Sequence, residues 1–133
     1  MNYFEPHLTP DELRAISAIG LAHMGDAVYE TLVRTWLCVH GKATGKELHR
    51  ATIALVCAQK QAELVQRVLP QLTEEELAVY KRGRNANVHA MPRSATPAQY
   101  HAATGLECLM GWLYLRGDKE RAEQLFHAMM EEE

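Results

Sequence analysis

Ala102-Ala103-Thr104-Gly105-Leu106-Glu107-Cys108-Leu109-Met110-Gly111-Trp112-Leu113-Tyr114-Leu115 is apolar on nearly every side of a helical wheel. A helix of that kind is enclosed by others rather than laid on a surface. Its ends are marked. Thr96-Pro97 with Gln99 supplies an N-cap, a proline where the missing N–H does no harm, and a capping-box partner. Gly117-Asp118 supplies a stop and the N-cap of a further helix. A chain built on such an element is an all-α bundle. Inside it stand one acid, Glu107, and two glycines, Gly105 and Gly111. Each glycine costs about 1 kcal/mol relative to alanine in a helix interior. That cost is tolerated where a second backbone must come close.

Working outward, Thr9-Pro10-Asp11-Glu12, Thr44 with Glu47, and Thr73 with Glu76 repeat the capping device. Helices are expected over residues 10–19, 20–39, 74–84, 97–116 and 119–130, with one or two more over 45–68, ending at Pro70. An irregular loop should cover 85–95, and the tail 131–133 should fray. Strand alternation and hairpin turns are nearly absent. The length, 133 residues at 47% apolar and 23% charged, suits one globular domain over 1–133. It excludes a disordered or collagen-like chain. Three scattered cysteines, Cys38, Cys57 and Cys108, form neither a disulfide framework nor a zinc motif, and read as small buried hydrophobes. No signal peptide and no membrane-length apolar run occur, so the expected location is a reducing cytoplasm.

A second acid sits in comparable surroundings, Asp26 within Leu21-Ala22-His23-Met24-Gly25-Asp26-Ala27-Val28-Tyr29. Gly25 matches Gly111 as a small residue, so the two helices can cross tightly and bring Asp26 near Glu107. Glu30, one turn on, could join them. Acids in apolar helices are rarely buried unless paired or bound to a metal. Two readings stand open. Each acid pairs with an arginine or caps a neighbouring helix, or the two hold a hard divalent ion such as Mg²⁺, which takes one or two carboxylates and keeps several waters.

Charge is uneven along the chain. Between residues 81 and 101 there are four basic residues, Lys81, Arg82, Arg84 and Arg93, and no acid. That segment carries +4 in a chain of net −3, which leaves −7 on the rest. Arginines at a helix end beside Gly83, Asn85 and Asn87 suit phosphate oxygens. They equally suit the negative end of a helix dipole. Gly41-Lys42-Ala43-Thr44-Gly45-Lys46 is one residue short of a phosphate-binding loop and has Glu47 where Ser or Thr is required. It is read as a plain loop.

The run Gly25-Asp26-Ala27-Val28-Tyr29-Glu30, then Arg82-Gly83-Arg84-Asn85-Ala86, then Tyr100 to Glu107 and its apolar continuation resembles, in that order, the signatures of the ribonuclease III family. The match is closest to its compact bacterial branch, Mini-ribonuclease III, and spans almost the whole chain. The resemblance implies a helical endonuclease domain and an enzyme that hydrolyses double-stranded RNA to 5′-phosphate and 3′-hydroxyl ends. Asp26 matches the catalytic acid and Glu107 the metal-binding acid, with Mg²⁺ as cofactor and Mn²⁺ as a substitute. The larger enzymes carry two further acids where this chain has Ala22 and Thr104. Thr104 either orients a water or bonds a backbone carbonyl as helix threonines do. Arg82, Arg84 and Asn85 would position the RNA backbone, with Lys81 peripheral and Glu30 bonded to one of these arginines. The chain ends without a double-stranded-RNA-binding domain, so a two-fold homodimer is expected to set two centres across one duplex. The family association points to maturing the ends of the 23S ribosomal RNA precursor. The alternative is a non-catalytic double-stranded-RNA or ribosome-binding module that keeps the fold.

Overall fold

A computed structural model of the chain describes residues 1–87 and 93–131. Seven α-helices run in order: α1 (Pro10–Arg14), α2 (Ala18–Val39), α3 (Gly45–Val56), α4 (Ala58–Gln66), α5 (Glu74–Arg84), α6 (Pro97–Leu115) and α7 (Lys119–Met130), with a 3₁₀ turn at Leu69–Gln71. No strand occurs among the described residues. The all-α bundle expected from the capping pattern is therefore observed.

The α6 helix is the axis. From Ala102 to Leu113 every residue except Glu107 is buried. Helices α2, α4 and α5 pack around it, and Leu21, Tyr29, Val33, Leu64, Val65, Val79 and Tyr80 complete the core. The reciprocal capping boxes at Thr9–Glu12, Thr73–Glu76 and Thr96–Gln99 all form. At Thr44 the device is single. Its hydroxyl accepts from the Glu47 amide at 3.2 Å, while the Glu47 carboxylate takes the threonine O–H rather than a backbone N–H. Gly117, at φ +91°, ends α6, and Asp118 caps α7.

The structure differs from the sequence expectation at the end of the first helix and at two cysteines. The first helix does not reach residue 19. It stops at Arg14, because Ser17 turns its hydroxyl to the Gly20 amide at 2.9 Å and starts α2 instead. Residues 45–68, expected as one or two helices, form two, divided at Cys57, whose backbone is extended at ψ 151°. Cys38 and Cys57 are exposed, and only Cys108 is the buried hydrophobe expected. Helix ends turn such residues outward where an interior turn would bury them. Glu131 is tied in by its amide to His127 O at 3.0 Å. Residues 132–133 of the tail and 88–92 of the 85–95 loop lie outside the described residues.

Close approach to the axis is made by glycines. A Cβ at Gly25 would lie 1.6 Å from the Glu107 carbonyl oxygen, and one at Gly111 would lie 2.0 Å from Leu21 O. Helices α2 and α6 therefore cross in backbone contact, as the small residues in both imply. Gly105, also expected to serve that crossing, instead receives the Tyr80 ring of α5, which a Cβ would meet at 2.7 Å.

Candidate active site

The tight crossing fixes what stands beside it. Asp26 follows Gly25, and Glu107 is the residue whose backbone Gly25 touches. Their carboxyl groups come within hydrogen-bonding reach of each other. Asp26 is exposed and Glu107 is largely buried, so the pair opens to solvent on the α2 side. Among the described residues neither acid meets a lysine or arginine. The reading in which each acid is neutralised by an arginine is thereby removed. Burial, then the Asp26 charge, pushes the Glu107 carboxyl up to about 8, only partly opposed by the Gln61 amide.

Gln61, which the sequence reading passed over, and Tyr29, quoted there only within the motif, complete the surroundings. Gln61 on α4 is 2% exposed, and its Nε2 is buried with no hydrogen-bond partner, although its amide favours the ionised form of Glu107. Tyr29, also beside Glu107, is fully buried and donates its hydroxyl to Leu55 O at 3.0 Å. A signal for Gln61 existed. It stands where an apolar residue belongs, on the stripe that continues through Leu64, Val65 and Val68.

This donor set fits a hard divalent cation. Two carboxylates face each other without a counter-charge, and a cation between them would relieve the repulsion that now raises Glu107. Among the described residues no group of three or more His, Cys, Asp or Glu forms a metal cluster. The acids are thus a pair, and Glu30 does not join them. Glu30 pairs with Arg34 one turn along its own helix at 2.5 Å, and not with the arginines of the basic stretch. Thr104 is buried and donates its hydroxyl to Tyr100 O at 3.0 Å, the helix-threonine arrangement.

The basic residues sit on the neighbouring helix. Gly83 of α5 packs against Thr104, Gly105 and Cys108, which brings the last turn of α5 to the level of Glu107 along the axis. Lys81, Arg82, Arg84 and Asn85 are all exposed there. Arg84 lies 5.8 Å from the Tyr80 ring centroid and bonds the Asn85 side chain at 3.2 Å. Asn85 also caps α5, its amide meeting Lys81 O at 2.9 Å. Arg82 points elsewhere, into a groove with His7, Arg14, Arg116 and Trp112.

Comparison with known proteins identifies the family. A family model of the ribonuclease III domain matches residues 20–118, from the start of α2 to the N-cap of α7. Mini-ribonuclease 3 of Symbiobacterium thermophilum is 45% identical over 108 residues, covering 81% of this chain and 83% of its own. That of Enterococcus faecalis is 42% identical over 118 residues, covering 87% and 89%. A crystal structure of a Fusobacterium nucleatum protein superposes with a TM-score of 0.76 at 29% identity, covering 84% of this chain and 88% of that one.

Proposed function

The chain belongs to the ribonuclease III family, in its Mini-ribonuclease III branch, and on that premise we propose that it cleaves double-stranded RNA with Mg²⁺ held by Asp26 and Glu107. Membership carries the broader activity, RNA endonuclease. The single observation behind the finer reading is the solvent-open pair of carboxyl groups with no cationic side chain between them.

A bound Mg²⁺, with Mn²⁺ as substitute, would supply positive charge that polarises the scissile phosphate and makes water a stronger nucleophile. Asp26, at the open edge, faces the substrate. Glu107, deeper, anchors the charge from below. Exposed Arg84 and Asn85, with Lys81 further out, supply guanidinium and amide donors for backbone phosphates. Arg82 would reach RNA only from the groove it lines. Recognition of A-form shape, phosphates and 2′-hydroxyls follows from such a surface better than base reading does. The products would be 5′-phosphate and 3′-hydroxyl ends.

The remaining parts of the proposal are that residues 1–133 act as one catalytic domain, that two copies pair to cut both strands, and that the substrate is the 23S ribosomal RNA precursor. The exposed free thiols of Cys38 and Cys57 suit a reducing cytoplasm. The test is cleavage of a plain RNA duplex with and without Mg²⁺, by the wild type and Glu107→Gln. Metal-dependent cutting by the wild type alone is expected. Duplex binding without cutting would establish instead the non-catalytic RNA-binding module.

A further inference from the structure

Resting on that reading of the site, we propose that Gln61 is a positioning residue whose side-chain amide holds the Glu107 carboxylate in the orientation that binds the cation with Asp26. Gln61 comes from α4, a helix that contributes no acid to the pair. It occupies the apolar stripe Leu64–Val65–Val68, where a leucine or methionine would fill the same space without a polar atom. Its Nε2 is buried and meets no acceptor at hydrogen-bond distance. A buried donor left in that state weakens the fold unless a second state satisfies it.

The neighbouring carboxyl supplies that state. A carboxylate that holds a cation through one oxygen keeps the other free to accept an N–H, and Gln61 sits beside Glu107 on α4, which packs against α6. A divalent cation between the two acids would draw the Glu107 carboxylate toward Asp26 and fix it in one place. The Gln61 amide then gains its acceptor and restrains the carboxylate from the side facing the protein, leaving the other oxygen toward Asp26. Groups that orient metal ligands in this way contribute roughly 10–100-fold to metal affinity. A residue kept only for packing would contribute to the metal-free fold and not to binding.

The experiment compares wild type, Gln61→Leu, Gln61→Met and Glu107→Gln by titration with Mn²⁺ followed by electron paramagnetic resonance, and by thermal melting without metal. Both Gln61 variants should bind Mn²⁺ roughly 10–100-fold more weakly than wild type. Both should melt without metal at or above the wild-type temperature, because the orphaned donor is gone. At saturating metal, KM for duplex RNA should be unchanged, since Gln61 is buried away from substrate. Mn²⁺ affinity within twofold of wild type in the folded variants, with Glu107→Gln failing to bind, overturns the role of Gln61 alone. A lowered metal-free melting temperature in both variants overturns it too, in favour of packing. Wild type that binds no Mn²⁺, or Glu107→Gln that binds as well as wild type, overturns the reading of the site itself.

Discussion

Two glutamates lie in the body of this bundle, and they are treated in opposite ways. Glu76, on α5, is 5% exposed and grips Arg121 of α7 through two bonds of 2.8 and 2.9 Å. The same arginine reaches Gln71 O at 3.0 Å. Bonding to Arg121 holds the Glu76 carboxyl below its usual value. Glu107, on α6, faces another acid and an unsatisfied amide, and is pushed up to about 8. A buried acid with its counter-ion built in is a clasp between helices. One that lacks its counter-ion is a vacancy in the charge pattern that a ligand can fill. The fold tolerates the second because α2 and α6 are locked at the crossing by Gly25 and Gly111.

The contrast can be broken from either side. The largest expected effect is on chemistry. Asp26→Asn should lower duplex-RNA cleavage by about 1,000-fold or more, by analogy with the loss of a charge-stabilising group, while the melting temperature holds or rises. Full activity in that variant would remove Asp26 from the mechanism. Next is the clasp. Arg121→Ala strands the Glu76 carboxylate and should cost about 2–3 kcal/mol, discounted because Arg121 is still partly exposed. Urea denaturation measures it, and a loss under 0.5 kcal/mol would show the pair to be idle.

The two acids should also give opposite pH dependences. Glu76, lowered in the folded state, adds stability above the ordinary glutamate range and loses it as pH falls through its folded value. Glu107, raised to about 8, binds its proton more tightly folded than unfolded. Its contribution is therefore complete below the usual glutamate value and is lost as pH rises toward 8 and beyond. Metal-free protein should weaken between about pH 5 and 8, and Glu107→Gln should remove that decline. Equal pH profiles for the variant and wild type would contradict the raised value. The smallest effect distinguishes clasp arginines from RNA arginines. Arg84, which faces a tyrosine ring and an asparagine rather than a carboxylate, should on replacement by alanine reduce the salt slope of duplex binding by about one. An unchanged slope would place it away from RNA.

Much of this was legible beforehand. The caps at Thr9, Thr73 and Thr96 are local chemistry, carried by residues three apart, and they form as read. The all-round apolar text of 102–115 does become the axis. The Asp26–Glu107 meeting was readable as one of two outcomes, because Gly25 and Gly111 permit the tight crossing that brings the two together. Ser17 was missed because a lone serine in apolar text looks like an interior residue until its hydroxyl is seen to take the Gly20 amide. Glu30 was assigned to a distant arginine when Arg34, one turn along, was nearer.

The sequence by itself determined the helical class, the main helix borders and the two acids, because periodicity and capping act over a few residues. Only the tertiary structure decided that Gln61 of α4 lies beside Glu107, that Gly105 serves α5 rather than α2, and that Arg82 lines a groove with Trp112 while Arg84 lies over the Tyr80 ring. Those outcomes depend on which helix lies against which face, and that is set by packing between residues dozens of positions apart.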